Sequence, residues 1–180
     1  MRLTQGSPVP SLKLPDLDGM PFDLATLKGT PFMVAFYRFA SCTFCNLRVR
    51  ELVTRYGELG DGCTVVVVFD AAPEHLRLHA EHHHAPFPLL ADSGRTHYDA
   101  FGVEYSWPRV SWGLIKRLPT LLKGFAAGYL PLDARGRLDT LPAEFLVDAG
   151  GIITHAHYAR DEGDHLSFEQ LKEFATGVKA

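Results

Sequence analysis

The pair Cys42-Thr43-Phe44-Cys45 stands where an apolar run of strand length hands over to an amphipathic helix, and that junction constrains this chain more than any other feature. Upstream, Pro31-Phe32-Met33-Val34-Ala35-Phe36-Tyr37 reads as a buried strand. Downstream, Cys45, Val49, Leu52, Val53 and Tyr56 fall at offsets 0, 4, 7, 8 and 11, which trace one face of an α-helix. The two cysteines therefore occupy the first helical turn. Unpaired N–H groups and the positive end of the helix dipole lower a thiol's pKa there and make it nucleophilic. Cys45 belongs to the buried stripe, whereas Cys42, beside the cap, is expected to face solvent. An exposed attacker backed by a buried partner, both within disulfide reach, suits thiol–disulfide exchange.

Other uses of the pair need partners that the sequence does not supply. A structural zinc site takes four ligands, usually as two Cys or His pairs. Only three cysteines exist, and Cys63 opens the apolar run Thr64-Val65-Val66-Val67-Val68-Phe69, where a cysteine acts as a small buried residue. His82, His83 and His84 would point about 100° apart on a helix and cannot share a face, so they read as a solvated helix end. His155 and His157 read as alternate strand positions. No metal and no cofactor is expected; a non-catalytic metal- or protein-binding module stands as the alternative from another class. A net charge of −3 leaves no basic footprint for nucleic acid. The segment Met1 to Pro8 lacks the apolar core of a secretory signal, and no run is long enough to span a bilayer. With three cysteines, a reducing cytoplasmic setting is expected.

Strand and helix signals alternate along the 180 residues, which predicts one α/β domain around a central sheet. An extended piece begins at Leu12 to Leu14 and turns at Asp16-Leu17-Asp18-Gly19 toward Pro21 to Leu24. The strand Phe32 to Tyr37 leads into the cysteine helix, which runs to about Glu58. Thr64 to Phe69 is apolar on both faces and belongs inside the sheet. Pro73 to His84 reads as a helix, Phe87 to Leu90 as a short strand, and Thr96 to Phe101 as a short helix stopped by Gly102. Glu144 to Val147 and Ile152 to His157 form a hairpin around Asp148-Ala149-Gly150-Gly151. Ser167 and Gln170 make a capping box for a last helix from Phe168 to about Val178.

Several strings, taken in order, carry a family likeness: Gly6-Ser7-Pro8-Val9-Pro10, Asp18-Gly19, Phe36-Tyr37-Arg38, Cys42-Thr43-Phe44-Cys45-Asn46-Leu47, Pro86-Phe87-Pro88-Leu89-Leu90-Ala91-Asp92, Tyr98-Asp99-Ala100-Phe101-Gly102-Val103 and Leu141-Pro142-Ala143-Glu144-Phe145-Leu146-Val147-Asp148. The chain resembles the AhpC/TSA (redoxin) branch of the thioredoxin superfamily. The resemblance implies a thioredoxin-like fold, a central mixed sheet flanked by helices, with an N-terminal extension and a helical insertion at about 104–140. It implies antioxidant thiol chemistry on a disulfide or peroxide, with a thiol electron donor.

Peroxidases of that family carry Pro-x-x-x-Thr-x-x-Cys. Laid on this chain, the motif puts the peroxide-reducing position on Cys45, the threonine on Cys42 and the proline on Arg38. The arginine those enzymes place just before the Phe-x-x-Asp strand is replaced here by Pro142-Ala143-Glu144. A proline there resembles the loop of thioredoxins that lies beside the Cys-x-x-Cys and binds extended substrate backbone. On that likeness the Leu141–Pro142 peptide is expected to be cis and Pro142 to line the substrate site, with Arg38 beside the thiolate. Cys42 would then attack a disulfide and Cys45 would resolve it. A peroxidase with Cys45 reducing peroxide and Cys42 resolving is the alternative. Ser41 stands where thioredoxins prefer tryptophan, and Glu144 or Asp70 are candidate proton acceptors for the buried thiol.

The insertion is the least expected part. Trp107, Trp112, Ile115, Leu118, Leu122 and Phe125 give it more apolar surface than a single exposed loop carries. Much of it is expected to be helical and buried, packed on its own domain or across a homodimer interface through 105–132. A membrane-surface or partner contact using Lys116, Arg117 and Lys123 ranks last.

Overall fold

A computed structural model describes residues 1–177. The N-terminal extension forms a hairpin of β1 (Lys13–Pro15) and β2 (Pro21–Asp23), closed by Asp16, whose Oδ1 accepts from the N–H groups of Asp18 and Met20. The main sheet comprises β3 (Phe32–Phe36), β4 (Thr64–Phe69), β5 (Leu89–Ala91), β6 (Ala143–Val147) and β7 (Ile153–Tyr158), in the order β5-β4-β3-β6-β7. Strands β3, β4 and β5 run parallel, while β6 and β7 are antiparallel, so the sheet is mixed as expected. Strand β4, apolar from Val65 to Phe69, lies between β3 and β5, which explains its lack of a polar face.

Alternation along β3 divides the core into two layers. Met33, Ala35 and Tyr37 face α1 (Thr43–Arg55) and α6 (Phe168–Thr176), together with Val65, Val67 and Phe69. Phe32, Val34 and Phe36 join Val66, Val68, Tyr98 and Phe101 on the other side, covered by α3 (Thr96–Ala100) and the N-terminal hairpin. Gly102, at φ +67°, stops α3 where a side chain would be strained. The Ser167–Gln170 capping box opens α6; the predicted end near Val178 lies outside the described residues.

Helix α2 is shorter than predicted, covering Pro73–Ala80, and a 3-10 turn continues it over Glu81–His83. The insertion forms α4 (Trp107–Lys116) and α5 (Leu118–Ala126), helical as expected. Its expected burial is not found within this chain. Trp107 is 56% exposed and Trp112 67%, Phe125 is half-buried, and the buried residues of the two helices are Val110, Gly113 and Gly124, with Leu121 packed partly against the core. The physical reason is that much of the contact is made through Gly113 and Gly124, which allow close approach but have no side chains to bury, leaving Val110 and Leu121 as its apolar contribution. No helix among the described residues is long and apolar enough to cross a membrane.

Candidate active site

The loop Tyr37–Ser41 leaves the C-terminal end of β3 and delivers Cys42 to the N-cap of α1, with an extended backbone at φ −63°, ψ 119°. Cys45 follows in the first turn. Asn46, one turn beyond Cys42, fastens the loop: its amide donates to the carbonyls of Ala40 (2.8 Å) and Cys42 (2.9 Å). Its carbonyl oxygen receives the Nε2–H of His83 at 2.8 Å, the tautomer this network requires. His83 is therefore buried and structural rather than part of a solvated helix end, and burial pushes its pKa down to about 4.

The segment after α5 closes over this loop. Thr43 Oγ1 donates to the Tyr129 carbonyl and Ser41 Oγ to the Asp133 carbonyl, both at 2.8 Å, and Arg38 Nη2 donates to the Leu138 carbonyl. Cys42 was expected to face solvent, yet it is 1% exposed against 0% for Cys45. The insertion lies across the helix start, and a helical-face argument cannot see a covering element that comes from elsewhere in the chain. A cleft of about 290 Å³ remains beside Arg38, lined by Phe39, Phe44, Trp107, Val110 and Leu121.

Electrostatics distinguish the two thiols. Burial by itself would push both up. At Cys42 that is outweighed by a hydrogen bond from Cys45, the Arg38 guanidinium (Nη1 at 3.8 Å) and the charge of His165, and the thiol falls to about 6. At Cys45, burial and the neighbouring Cys42 charge hold the thiol well above its ordinary value, although the Arg38 backbone N–H donates to its sulfur at 3.4 Å. All three cysteines are free thiols.

Pro142 lies just before β6, next to the Phe36–Ala143 pair at the end of β3 from which the cysteine loop departs. Two expectations for it fail. The Leu141–Pro142 peptide is trans, and the backbone edge is occupied: Leu141 N–H donates to the Glu104 carbonyl, and the Pro142 carbonyl accepts from Ala159 N–H, both at 2.9 Å. The start of the insertion and the end of β7 fill the edge that an extended substrate would need.

Glu144 is not available as a proton acceptor. Its carboxylate is completely buried and takes Tyr37 Oη–H at 2.8 Å, Leu166 N–H at 2.5 Å and Arg48 Nε at 3.4 Å, with His165 Nδ1 3.4 Å away off the hydrogen-bond line. Burial opposes its charge, but Arg48 and His165 overcome that and hold the carboxyl well below its usual range. Asp70 accepts from Arg137 N–H at 2.8 Å; burial nevertheless pushes its carboxyl up. Sequence reasoning missed Glu162. It is fully buried, neither carboxylate oxygen has a partner in hydrogen-bond geometry, and it is near enough to feel the charges of Arg38 and Cys42. Burial pushes it up to about 7. The loop Asp161–Asp164 has no periodicity to point to it, whereas Asn46, at i+4 from Cys42, was open to discovery.

The AhpC/TSA family model matches residues 5–156. A protein of Mycobacterium tuberculosis, named provisionally among the peroxiredoxins, is 31% identical over 119 residues, covering 64% of this chain and 76% of that one. The chloroplastic peroxiredoxin Q of Sedum lineare is 30% identical over 105 residues, 57% of this chain and 55% of its own. Among solved structures, peroxidoxin BcpB from M. tuberculosis aligns with a TM-score of 0.67 at 18% identity, over 99% of this chain and 100% of that one. A thiol:disulfide interchange protein of the thioredoxin family from Chlorobium tepidum aligns at 0.55 and 19%, over 96% and 98%. At such identities the structural likenesses establish the thioredoxin-like fold.

Proposed function

The chain belongs to the AhpC/TSA family and is an oxidoreductase, and from that premise we propose that Cys42 is its attacking thiolate and Cys45 its resolving thiol. The observation that carries this reading is the Arg38 guanidinium on Cys42 Sγ, with the Cys45 thiol donating to the same sulfur. The Cys42 thiolate attacks one sulfur of a disulfide, the S–S bond breaks, and the departing sulfur leaves as a thiolate that takes up a proton. The charge that kept Cys45 protonated is then gone. Arg38, through its guanidinium and its backbone N–H, now favours a Cys45 thiolate, and Glu162 is suited to accept the proton. Cys45 attacks Cys42 Sγ, releases the second thiol, and leaves a Cys42–Cys45 disulfide for a thiol donor to reduce.

The occupied edge at Leu141 and Pro142 and the cover over Cys42 favour a small substrate that enters by the Arg38 cleft over an extended polypeptide. The same two observations, with the trans Leu141–Pro142 bond and the relatives' peroxiredoxin names, favour a second reading: reduction of a peroxide, in which a thiolate takes one oxygen as a sulfenic acid and the other leaves as alkoxide or hydroxide. The two readings assign different roles to Cys45. Single cysteine variants separate them. A Cys45→Ser protein that accumulates mixed disulfides through Cys42 supports exchange; a Cys42→Ser protein that still consumes peroxide assigns the peroxide chemistry to Cys45 and overturns the first reading.

The exposed apolar residues of α4 and α5, Trp112 and Ile115 among them, favour a homodimer contact through 105–132. A reducing, cytoplasmic setting fits a chain with three cysteines.

A further inference from the structure

Helix α2 places His75 and His79 one turn apart, so both imidazoles project from the same face. Their rings meet edge to face with centroids 4.7 Å apart. Asp133, more than 50 residues away in sequence, brings its Oδ2 to 3.2 Å from His75 Nε2. One donor atom from each of the three residues lies within 4.8 Å of the other two. His75 has a side chain only 6% exposed; its Nδ1 has no hydrogen-bond partner in the protein, its Nε2 meets Asp133 Oδ2 only off the hydrogen-bond line, and His79 Nε2 is likewise buried without a partner. Burying an imidazole nitrogen without a hydrogen-bond partner is destabilising. Two buried imidazoles in that state, each able to offer one nitrogen, beside a carboxylate whose other oxygen is engaged by Arg135 Nε at 2.9 Å, form a candidate donor set.

We propose that His75, His79 and Asp133 bind a divalent transition-metal ion of the zinc class. Two imidazoles and one carboxylate are a donor set that zinc accepts when it keeps a fourth position for water or another ligand. An adjoining cleft of about 440 Å³, which Asp70, Glu74 and Ser93 also line, leaves room for that position. The site is separate from the thiols but mechanically joined to them. Asp133 carries the carbonyl that accepts Ser41 Oγ–H, one residue before Cys42. A bound ion ties the segment after α5 to α2 and braces the cover over the cysteine loop.

The test is titration of zinc or cobalt(II) into the reduced, chelator-treated full chain. One equivalent should bind, the cobalt form should lack a thiolate charge-transfer band, and zinc should raise the melting temperature. Cys42→Ser/Cys45→Ser should retain the binding. His79→Ala and Asp133→Asn, both at partly exposed side chains, should each weaken it by about 100-fold or more, beyond the 10–100-fold typical of losing a mere supporting partner. His82→Ala should leave it unchanged. Circular dichroism checks that each variant folds, and Asp133→Asn decides if His79→Ala does not. Absence of binding at micromolar zinc, or binding that survives both ligand variants and is lost with the cysteines, overturns the proposal.

Discussion

Arg38 reaches both thiols of the candidate pair. The residue holds a position two steps past β3, and its guanidinium reaches Cys42 while its backbone N–H serves Cys45. Arg38→Met should return the Cys42 thiol toward the ordinary cysteine value of about 8.5, which lowers the thiolate fraction at pH 7 by up to about 30-fold. The measurement is the rate of Cys42 alkylation against pH. The wild-type rate should rise through about pH 6 and level off, whereas the variant should still be climbing at pH 8. Glu162 titrates in the opposite sense for stability. Its carboxyl stays protonated in the folded protein up to about 7 but ionises in the unfolded chain near 4.3. The folded state therefore binds more protons between those values, and this stabilising contribution is complete below the lower one and lost as pH rises through the upper. Glu162→Gln should flatten that part of the stability profile, read as melting temperature from pH 4.5 to 8; an unchanged profile would remove Glu162 from the titrating set. Cys42, Cys45 and Arg38 were legible because they are neighbours in the chain. Glu162, from an irregular loop, was not.

At the scale of elements, the decisive contact is between α5 and the start of α1. A Cβ on Gly124 would lie 2.1 Å from Thr43 Cγ2, so the two helices meet at a distance only glycine permits. Gly124→Ala should push the insertion away from the cysteine loop, strain the Thr43–Tyr129 bond and destabilise the fold by about 1–3 kcal/mol. Cys42 alkylation at pH 8 should accelerate, since the thiol is already ionised there and access becomes limiting. An unaltered rate in a folded variant would show that the insertion does not gate the thiol. The sequence predicted that much of the insertion is helical, and it located the start of α6 by the Ser167–Gln170 capping box and the end of α3 by Gly102. Which face α4 and α5 would bury was beyond it, because Gly113 and Gly124 carry no hydrophobic signal. The same limit applies to α2: His75 and His79 share a face by spacing alone, but Asp133 joins them only through folding.

For the molecule as a whole, the two-layered core is complete without the insertion, whose Trp112 and Ile115 are 67% and 73% exposed. Apolar side chains so displayed favour association. Sedimentation should show a concentration-dependent dimer, and Ile115→Glu should shift it to monomer with thiol reactivity retained; a monomer at all concentrations would remove the dimer reading. By itself the sequence determined the α/β architecture and the strand–dithiol–helix junction, and it singled out Cys42 and Cys45 as the candidate pair. Those follow from local periodicity and from chemistry carried by adjacent residues. Tertiary structure alone decided that Cys42 is covered, that Glu144 is committed to Arg48, that the Pro142 edge is filled, and that Glu162 stands near enough to feel the charge of Cys42. Each of these depends on segments distant in sequence meeting in space, where burial and charge act through distance and not through order along the chain.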